Sequence, residues 1–392
     1  MYPINVGQDK LTQLAAILGC TMGSFPFPYL GLPLGTKKPK VDDFFPMMQR
    51  IERRLTGCST LLSTGEKLSL IKSVFTSLPT FFMCSLDLPV TVMDQVYSYI
   101  RHCFWRKYGQ EGTGPAPIAW ATVCKPKEQG GLGVLDIATH NKALLLKNLH
   151  KFMNKADLPW VNLIWDTYYE HRAPTNKLVG SFWWKSIIKL LPTYKDMALC
   201  TVGQGHSVMF WHDIWGPVAL KFQFPHLFSF AKDDLLSIKE ASESSSFQEL
   251  FHLSLSNLAF AQFHQARACL EQSNLRENAD QWKYIWNSAS FCPSKAYNFL
   301  IQGEEAHPVF RKIWSAAVML RYKIFFWLLL HDRVNTRGLI HRKSFHLPSY
   351  KCELYTDQVE ETAMHLFLGL SLCIAMLGHD YPTQTQRREC AQ

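Results

Sequence analysis

The stretch DFFPMMQRIERRL, residues 43–55, sets the fold class of the region around it. Its apolar side chains recur at helical spacing: Phe44, Met47, Met48, Ile51 and Leu55. Three arginines, Arg50, Arg53 and Arg54, take the opposite side. A period of about 3.6 residues is typical of an amphipathic helix and excludes a half-buried strand. The stretch therefore predicts a helix with a buried apolar stripe and an exposed basic face, and Asp42 or Asp43 would cap it.

Two more helices are predicted directly after this one. Ser63 and Glu66 have the spacing of a capping box, and Pro79 kinks or ends the helix that they begin. Thr91 begins the next helix, in which apolar residues again share one face. Residues 41–108 are thus predicted to form a compact helical subdomain with basic outer faces.

The rest of the chain alternates helical patterns with turn signals. Residues 109–117 are a Gly/Pro-rich hinge, and residues 134–191 are mostly helical. Val202–Trp211 is predicted to be a β-hairpin, and the Ser/Glu-rich residues 237–250 a linker. Helices are expected again from Arg311 to His331. The predicted fold class is mainly α with small β elements (α+β).

Composition narrows the class of protein. With 47% hydrophobic and 19% charged residues among 392, the chain is expected to fold. No apolar run reaches the roughly 20 residues of a bilayer span, and no secretory signal opens the chain, so we expect an intracellular protein without a membrane partner. The 11 cysteines show no paired spacing, which favours core thiols over a disulfide framework.

Positive charge is concentrated in two segments. Residues 1–150 carry 16 Lys/Arg against 10 Asp/Glu, and residues 311–351 carry 9 against 1. Such segments suit a polyanion, whose counterions are released when phosphates are neutralised, but two solvated helix faces would give the same pattern. In the second segment aromatic residues lie among the basic ones, which is consistent with base stacking or with core aromatics beside exposed charges. The candidate contacts in this segment are Arg321, Lys323, Arg333 and Arg337.

A catalytic centre for phosphoryl transfer is not predicted. The adjacent aspartate pairs are Asp42-Asp43 and Asp233-Asp234. A polymerase palm needs an aromatic residue two positions before the first aspartate and another aspartate far upstream. Lys40 occupies the first of these positions, and Asp9 is the only aspartate that precedes Asp42. Local capping explains both pairs better.

A metal site is the other candidate. Cys352, His365 and Cys373 are three candidate zinc ligands, and Tyr355 stands where a Cys-x-x-Cys knuckle has its second cysteine. His346 or another residue would have to complete four ligands. The alternative is that these are core residues at a junction of helix and loop.

The order of several short motifs resembles the C-terminal part of plant non-LTR (LINE-type) retrotransposon reverse transcriptases, including the reverse transcriptase zinc-binding domain. The landmarks run through nearly the whole chain: Tyr29-Leu30-Gly31-Leu32-Pro33-Leu34-Gly35, Trp120 with Gly130-Gly131-Leu132-Gly133, Gly180-Ser181-Phe182-Trp183-Trp184, Gly203-x-Gly205, Phe210-Trp211-His212-Asp213-Ile214-Trp215, Lys323-Ile324-Phe325-Phe326-Trp327, Arg333-Val334-Asn335-Thr336 and Glu361-Thr362-Ala363-Met364-His365-Leu366-Phe367.

The resemblance implies a division into domains. In chain order these are a palm edge (1–40), a thumb-like helical domain (41–108), a Trp-rich connector (109–236), the linker (237–250), a helical connector (251–299), a zinc-binding-like module (300–378) and a tail (379–392). The thumb would hold template and primer through basic residues: Arg50, Arg53, Arg54, Lys67, Lys72, Arg101, Arg106 and Lys107. In the zinc-binding module, Cys352 and His365 match the ligand pattern of the family, whereas Tyr355 and Leu370 occupy the other two ligand positions and Cys373 lies three residues out of register.

The resemblance also implies what the chain lacks. The aromatic-x-Asp-Asp carboxylates of a palm would precede residue 1, so we expect no polymerase activity from this chain and at most weak, electrostatic binding of RNA or DNA. Two alternatives stay open: a degenerate open reading frame whose product has no activity, and one half of a split reverse transcriptase completed by a palm-containing polypeptide in trans. No cofactor is expected apart from zinc, and the nucleus is the compartment that the family suggests.

Overall fold

The computed structural model describes residues 1–4, 6–58, 62–105, 116–169, 173–175, 177–273, 275–303, 306–353, 359–363 and 365–369. Helices predominate in this part of the chain, together with two antiparallel pairs of short strands, which confirms the predicted fold class. Within the described ranges, no helix is long and apolar enough to cross a membrane.

The helices and strands follow one another with short connections. The N-terminal elements are α1 (Gln8–Ile17), β1 (Phe27–Tyr29), β2 (Leu32–Leu34), a 3-10 turn (Val41–Phe44), α2 (Phe45–Cys58), α3 (Thr64–Leu70), a π-helical turn (Ile71–Phe75), α4 (Thr80–Ser85), α5 (Val90–Trp105), α6 (Trp120–Cys124) and a 3-10 turn (Lys127–Gln129). The central elements are α7 (Ile137–Met153), α8 (Pro159–Tyr168), α9 (Phe182–Ile188), α10 (Leu191–Met197), β3 (Ala198–Thr201), α11 (Leu220–Gln223), α12 (Pro225–Phe228), α13 (Ile238–Glu243), a 3-10 turn (Phe247–Leu250), α14 (Asn257–Gln272), β4 (Gln281–Tyr284) and α15 (Pro293–Leu300). The C-terminal elements are α16 (Val309–Ser315), α17 (Leu320–Leu330), α18 (Arg337–Arg342) and a π-helical turn (His365–Gly369).

Two compact units share the chain, and each is built from three separated segments. The first unit comprises Met1–Arg53, Phe75–Ser98 and Leu135–Gln302. The second comprises Arg54–Val74, Tyr99–Val134 and Gly303–Gln392. The sequence-based division into a thumb, a connector and a zinc-binding module stays a prediction.

The predicted helix at residues 43–55 is confirmed in its pattern of burial. All five residues of the apolar stripe are less than 9% exposed in and just before α2, whereas Arg50, Arg53 and Arg54 are exposed. Asp43 accepts a hydrogen bond from the backbone N–H of Lys40 at 2.7 Å, so this carboxylate has the capping role expected of it.

The capping box at the start of α3 is also confirmed. Glu66 accepts from the backbone N–H of Ser63 at 2.7 Å, and Ser63 Oγ accepts from the backbone N–H of Glu66 at 3.4 Å. Farther on, Pro79 lies at the N-cap of α4 and separates it from the π-helical turn. Of the two predicted alternatives, a kink or an end at Pro79, the structure has the helix end before Pro79.

Aromatic side chains fill the core of the first unit. The ring centroids of Phe152 and Trp165 are 4.6 Å apart and nearly parallel, and Trp184 lies at the same distance from Phe152. Trp165 Nε1 donates to the carbonyl oxygen of Phe152, and Trp184 Nε1 donates to the hydroxyl of Tyr169, so both buried indoles have partners. The core thereby fixes α7, α8 and α9 against one another.

The predicted hairpin at Val202–Trp211 is wrong. β3 ends at Thr201 and pairs with β4, so the two strands are about 80 residues apart in sequence. Residues 203–207 instead wrap around the side chain of Asp280: Oδ1 accepts from Gly203 and Gly205 N–H at 2.8 Å, and Oδ2 accepts from Ser207 N–H at 3.0 Å and Ser207 Oγ at 2.7 Å. A Cβ at position 203 would lie 2.1 Å from the carbonyl oxygen of Asn278, so this close approach requires glycine.

The predicted linker at residues 237–250 is wrong as well. Ser237 and Glu240 form a capping box for α13, and Ile238 and Ala241 are buried in the core of the first unit. The serines and glutamates that indicate a linker by composition are capping and solvent-facing residues of a packed helix. The helical pattern from Arg311 to His331 is also interrupted, because α16 ends at Ser315 and α17 begins at Leu320.

Candidate nucleic-acid interface

Charge divides unequally between the two units. Over their full sequences, Lys and Arg outnumber Asp and Glu by 19 to 12 in the second unit, but only by 22 to 20 in the first. The second unit is therefore the more cationic although it is the smaller. Fields of one sign on this scale attract polyanions and accelerate their association.

Helix α17 is held in the second unit by its inner face. Ile324 and Trp327 are buried, and Trp327 Nε1 donates to the carbonyl oxygen of Gly130 at 2.7 Å. α3 also approaches α17 closely, since a Cβ at Gly65 would lie 2.9 Å from the backbone nitrogen of Arg321. The Gly130-Gly131-Leu132-Gly133 motif thus receives the helix, and α3 packs against its first turn.

The outer face of α17 combines apolar and basic side chains. Met319, Tyr322, Phe326 and Leu330 are 40 to 63% exposed and follow the spacing i, i+3, i+7 and i+11, which places them in one stripe. The guanidinium of Arg321 lies 4.7 Å from the centroid of the Tyr322 ring and donates to the Tyr322 hydroxyl at 2.9 Å. An exposed aromatic face with a cation against it is the composition that single-stranded nucleic-acid sites use.

The predicted contacts in residues 311–351 differ in their surroundings. Arg321 and Arg333 are exposed, as phosphate contacts must be. Lys323 is half-buried, and its Nζ donates to the carbonyl oxygen of Trp314 at 2.8 Å. Arg337 donates to the carbonyl oxygen of Lys351 and pairs with Glu353 and Glu361, so it already has acidic partners.

The predicted thumb contacts also differ in exposure. Lys67 is 5% exposed, and Lys72 Nζ donates to the carbonyl oxygen of Leu132. Burial, aided by the charge of Lys127, lowers the pKa of Lys72 to about 8. A buried lysine and a lysine with a weakened charge are poor phosphate contacts, so the exposed Arg101 and the α2 arginines are better placed.

Two thumb candidates, Arg106 and Lys107, lie outside the described residues. Arg50, Arg53 and Arg54 are exposed along α2, which runs from the first unit into the second. Sequence reasoning did not select Lys127, whose Nζ lies 5.1 Å from the ring centroid of Trp314 within the second unit. The sequence signal that could have identified Lys127 is its position just before the Gly130 motif. There the 3-10 turn Lys127–Gln129 meets α16, which carries Trp314.

The segment around Cys352 is held by hydrogen bonds that need no metal. Cys352 N–H donates to the carbonyl oxygen of Val359, and Glu361 N–H donates to that of Tyr350, so the chain doubles back as an antiparallel pair. Glu361 Oε1 accepts from the backbone N–H of Arg337 at 3.0 Å at the first turn of α18. The hydrogen bond to Glu353, then the charges of Glu353 and Glu361, raise the pKa of Arg337.

The metal-ligand positions of the family are only partly filled by possible metal ligands in this sequence. Cys352 is buried with a free thiol, and the backbone N–H of His365 donates to Thr362 Oγ1 at 3.1 Å. The other two ligand positions, Tyr355 and Leu370, lie outside the described residues, as does Cys373, and a leucine side chain carries no donor atom at all. In the described ranges, no three His, Cys, Asp or Glu side chains are grouped to hold a metal ion, and His346 is exposed and completes no such group.

Comparison with known proteins identifies the region that carries these positions. The sequence profile of a family described as "zinc-binding in reverse transcriptase" matches residues 291–373, which confirms the resemblance predicted from the motifs. The chain is 24% identical over 373 residues to the Arabidopsis thaliana protein named "Putative ribonuclease H protein At1g65750". It is 28% identical over 143 residues to the "Uncharacterized mitochondrial protein AtMg00310" of the same plant.

Coverage differs between these two relatives. The first alignment includes 91% of this chain but only 58% of the ribonuclease H protein. The second includes 36% of this chain and 92% of the mitochondrial protein. The chain therefore spans little more than half the length of the larger relative.

Proposed function

Because this retrotransposon-derived, reverse-transcriptase-like chain carries the zinc-binding region of reverse transcriptases over residues 291–373, we propose that it binds RNA or DNA electrostatically and does not itself polymerise. The observation that carries the proposal is the excess of Lys and Arg over Asp and Glu in the second unit, 19 against 12. Lys312, Arg333 and Lys343 are exposed members of this set.

The proposal that the chain does not polymerise is supported by the surroundings of the acidic pairs. Asp43 accepts from the N–H of Lys40, and Asp233 accepts from the N–H of Leu235 at 2.8 Å. Asp234 lies 3.2 Å from His212 Nε2. Local hydrogen bonds account for these carboxylates, whereas a two-metal site needs several carboxylates that converge on one point.

The salt dependence of binding tests the first part. In fluorescence anisotropy with a labelled 20-nucleotide RNA, the logarithm of the association constant should fall linearly with the logarithm of the salt concentration, because binding releases counterions. The test variant replaces three exposed basic residues of the second unit with alanine: Lys312, Arg333 and Lys343. The matched control replaces three exposed lysines of the first unit: Lys142, Lys232 and Lys283.

We expect the test variant to lower the magnitude of the salt slope by about 2, since each lost phosphate contact removes about 0.7 to 0.9, and we expect the control to retain the wild-type slope. A further variant with alanine at Arg50, Arg53 and Arg54 measures the contribution of α2. Absence of salt-dependent affinity in the wild-type chain would refute binding, and primer extension by the chain alone with magnesium and deoxynucleotides would refute the second part.

A second candidate role, to receive a palm-containing polypeptide in trans, is favoured by a cleft in the first unit that exposes apolar side chains. The cleft has a volume of about 470 Å³ and lies between the β1–β2 hairpin, α2 and α4. Leu30 and Phe81 line it and are 78% and 52% exposed. Exposed apolar side chains of this size are typical of a surface that is covered by a partner.

Mixing the chain with a separately expressed palm polypeptide tests this role. Primer extension should arise only in the mixture, and Leu30→Asp with Phe81→Asp should abolish it by placing charge in the cleft. Leu163→Asp, at an exposed leucine of α8, is the matched control. An inactive mixture in which the two polypeptides do not co-elute would contradict this role.

A further inference from the structure

We infer that the outer face of α17 is a stacking platform for single-stranded nucleic acid, with Tyr322 and Phe326 receiving the bases and Arg321 and Arg333 the phosphates. This inference rests on the proposed function and makes it more specific. It names the strand state of the ligand and the two side chains that recognise it.

The aromatic residues of α17 differ in their exposure. Trp327 is buried and bonded to Gly130, and Phe325 lies 5.5 Å from Phe367 between ring centroids, so these two serve packing. Tyr322 and Phe326, in contrast, are 47% and 48% exposed. They are four residues apart and therefore about 6 Å along the axis, which presents two rings side by side.

The stacking platform is ordered before a ligand binds. The inner face of α17 is fixed by Ile324 and Trp327, and Lys323 Nζ ties the helix to the carbonyl oxygen of Trp314. Arg321 lies against one face of Tyr322 and donates to its hydroxyl, so the ring orientation is held. Binding then costs less side-chain entropy than it would on a mobile aromatic.

The positive charge around the stripe favours nucleic acid over a protein partner. The stripe lies in a segment, residues 311–351, with 9 basic residues and 1 acidic residue. That single acid, Asp332, is paired with Arg342. Basic residues that flank exposed rings complement a phosphate backbone with accessible bases, and duplex ends aside, only a single strand offers base faces for stacking.

The experiment compares single strands with duplexes of the same length. In the full chain, Tyr322 and Phe326 are both replaced with leucine, which keeps the stripe apolar and removes the π faces. Binding of 12-nucleotide oligothymidylate and of a 12-base-pair DNA duplex is measured by anisotropy at a fixed salt concentration. The matched control is Phe260→Leu with Phe222→Leu, two exposed phenylalanines of the first unit.

We expect the α17 variant to lose roughly thirtyfold or more in affinity for the single strand, because base stacking contributes about 1 to 3 kcal/mol per base and two rings are replaced. Duplex affinity and the control variant should stay within about twofold of wild type, since phosphate contacts are unchanged. Both substituted side chains are exposed, and an unchanged unfolding transition verifies that each variant is folded.

Each other outcome is decisive. Salt-dependent binding that the leucine variant leaves unchanged would overturn the platform and leave the proposed function intact. Absence of any binding by the wild-type chain would overturn both. If sedimentation shows a wild-type dimer that Tyr322→Asp with Phe326→Asp dissociates, while the leucine variant binds oligothymidylate normally, then the stripe is an interface between copies of the chain and the platform is refuted.

Discussion

Removal of the Asp280 carboxylate should destabilise the first unit more than any exposed substitution. The side chain is 7% exposed and accepts four hydrogen bonds, three of them from the backbone N–H groups of Gly203, Gly205 and Ser207. Through these bonds it ties the loop after β3 to the start of β4. Asp280→Ala leaves three buried N–H donors without an acceptor, and Asp280→Asn leaves at least one.

The magnitude follows from the number of orphaned donors. A buried donor without a partner costs about 1 to 3 kcal/mol, and neighbouring losses are not additive. We therefore expect about 3 to 5 kcal/mol for Asp280→Ala and about 1 to 3 kcal/mol for Asp280→Asn. Asp233→Asn is the matched control, because its exposed carboxylate accepts one N–H, from Leu235, and should cost less than about 1 kcal/mol.

Urea unfolding followed by tryptophan fluorescence measures the difference, and Trp282, buried two residues after Asp280, reports on this part of the core. Hydrogen exchange should show loss of protection at the amides of Gly203, Gly205 and Ser207 specifically. A midpoint for Asp280→Ala within experimental error of wild type would refute the reasoning, as would unchanged protection of those three amides.

Four further outcomes are expected. Burial lowers the pKa of His150, so stability should fall as pH drops below about 6.5, where the unfolded chain takes up a proton that the folded chain does not; urea titrations at pH 7.5 and 5.5 should show a smaller loss for His150→Gln. Since burial lowers the pKa of Lys72 to about 8, stability should rise between about pH 8 and 10.5, and Lys72→Met should remove that rise; an unchanged rise in Lys72→Met would contradict it. The hydrogen bond from Ser294 lowers the pKa of Cys292 and burial raises that of Cys84, so iodoacetamide at pH 7 should label Cys292 first, as peptide mass spectrometry can determine. Chelation with EDTA should leave the melting temperature unchanged, whereas Glu361→Ala should lower it; a drop on chelation would show that a metal stabilises the chain.

Local patterns in the sequence predicted the elements whose determinants are close together. The stripe of α2 follows from the 3.6-residue period, and the cap of α3 requires only Ser63 and Glu66, three residues apart. The turn around Gly203 could not be predicted in this way, because its partner Asp280 is 77 residues away. A pair of glycines beside alternating residues indicates a hairpin when the long-range acceptor is unknown.

The candidate interface was predictable in charge but not in exposure. The count of basic residues located the segment 311–351, yet Arg337 has its carboxylate partner Glu361 24 residues later. Likewise, spacing along α17 could not decide which aromatic residues are buried, since that depends on where the Gly130 motif docks. Tertiary contacts therefore selected Tyr322 and Phe326 as the exposed pair.

The long-range packing of α17 in the second unit has a consequence for shortened copies of this chain. Its helix α17 rests on α3 and on the Gly130 motif, which precede it by about 260 and 200 residues. A gene copy shortened to the region that a family profile detects would encode Ile324 and Trp327 without the surfaces that cover them. We expect such shortened products to aggregate or to be degraded. The region matched by the family profile, residues 291–373, can therefore be retained in folded form only together with the helices far upstream of it.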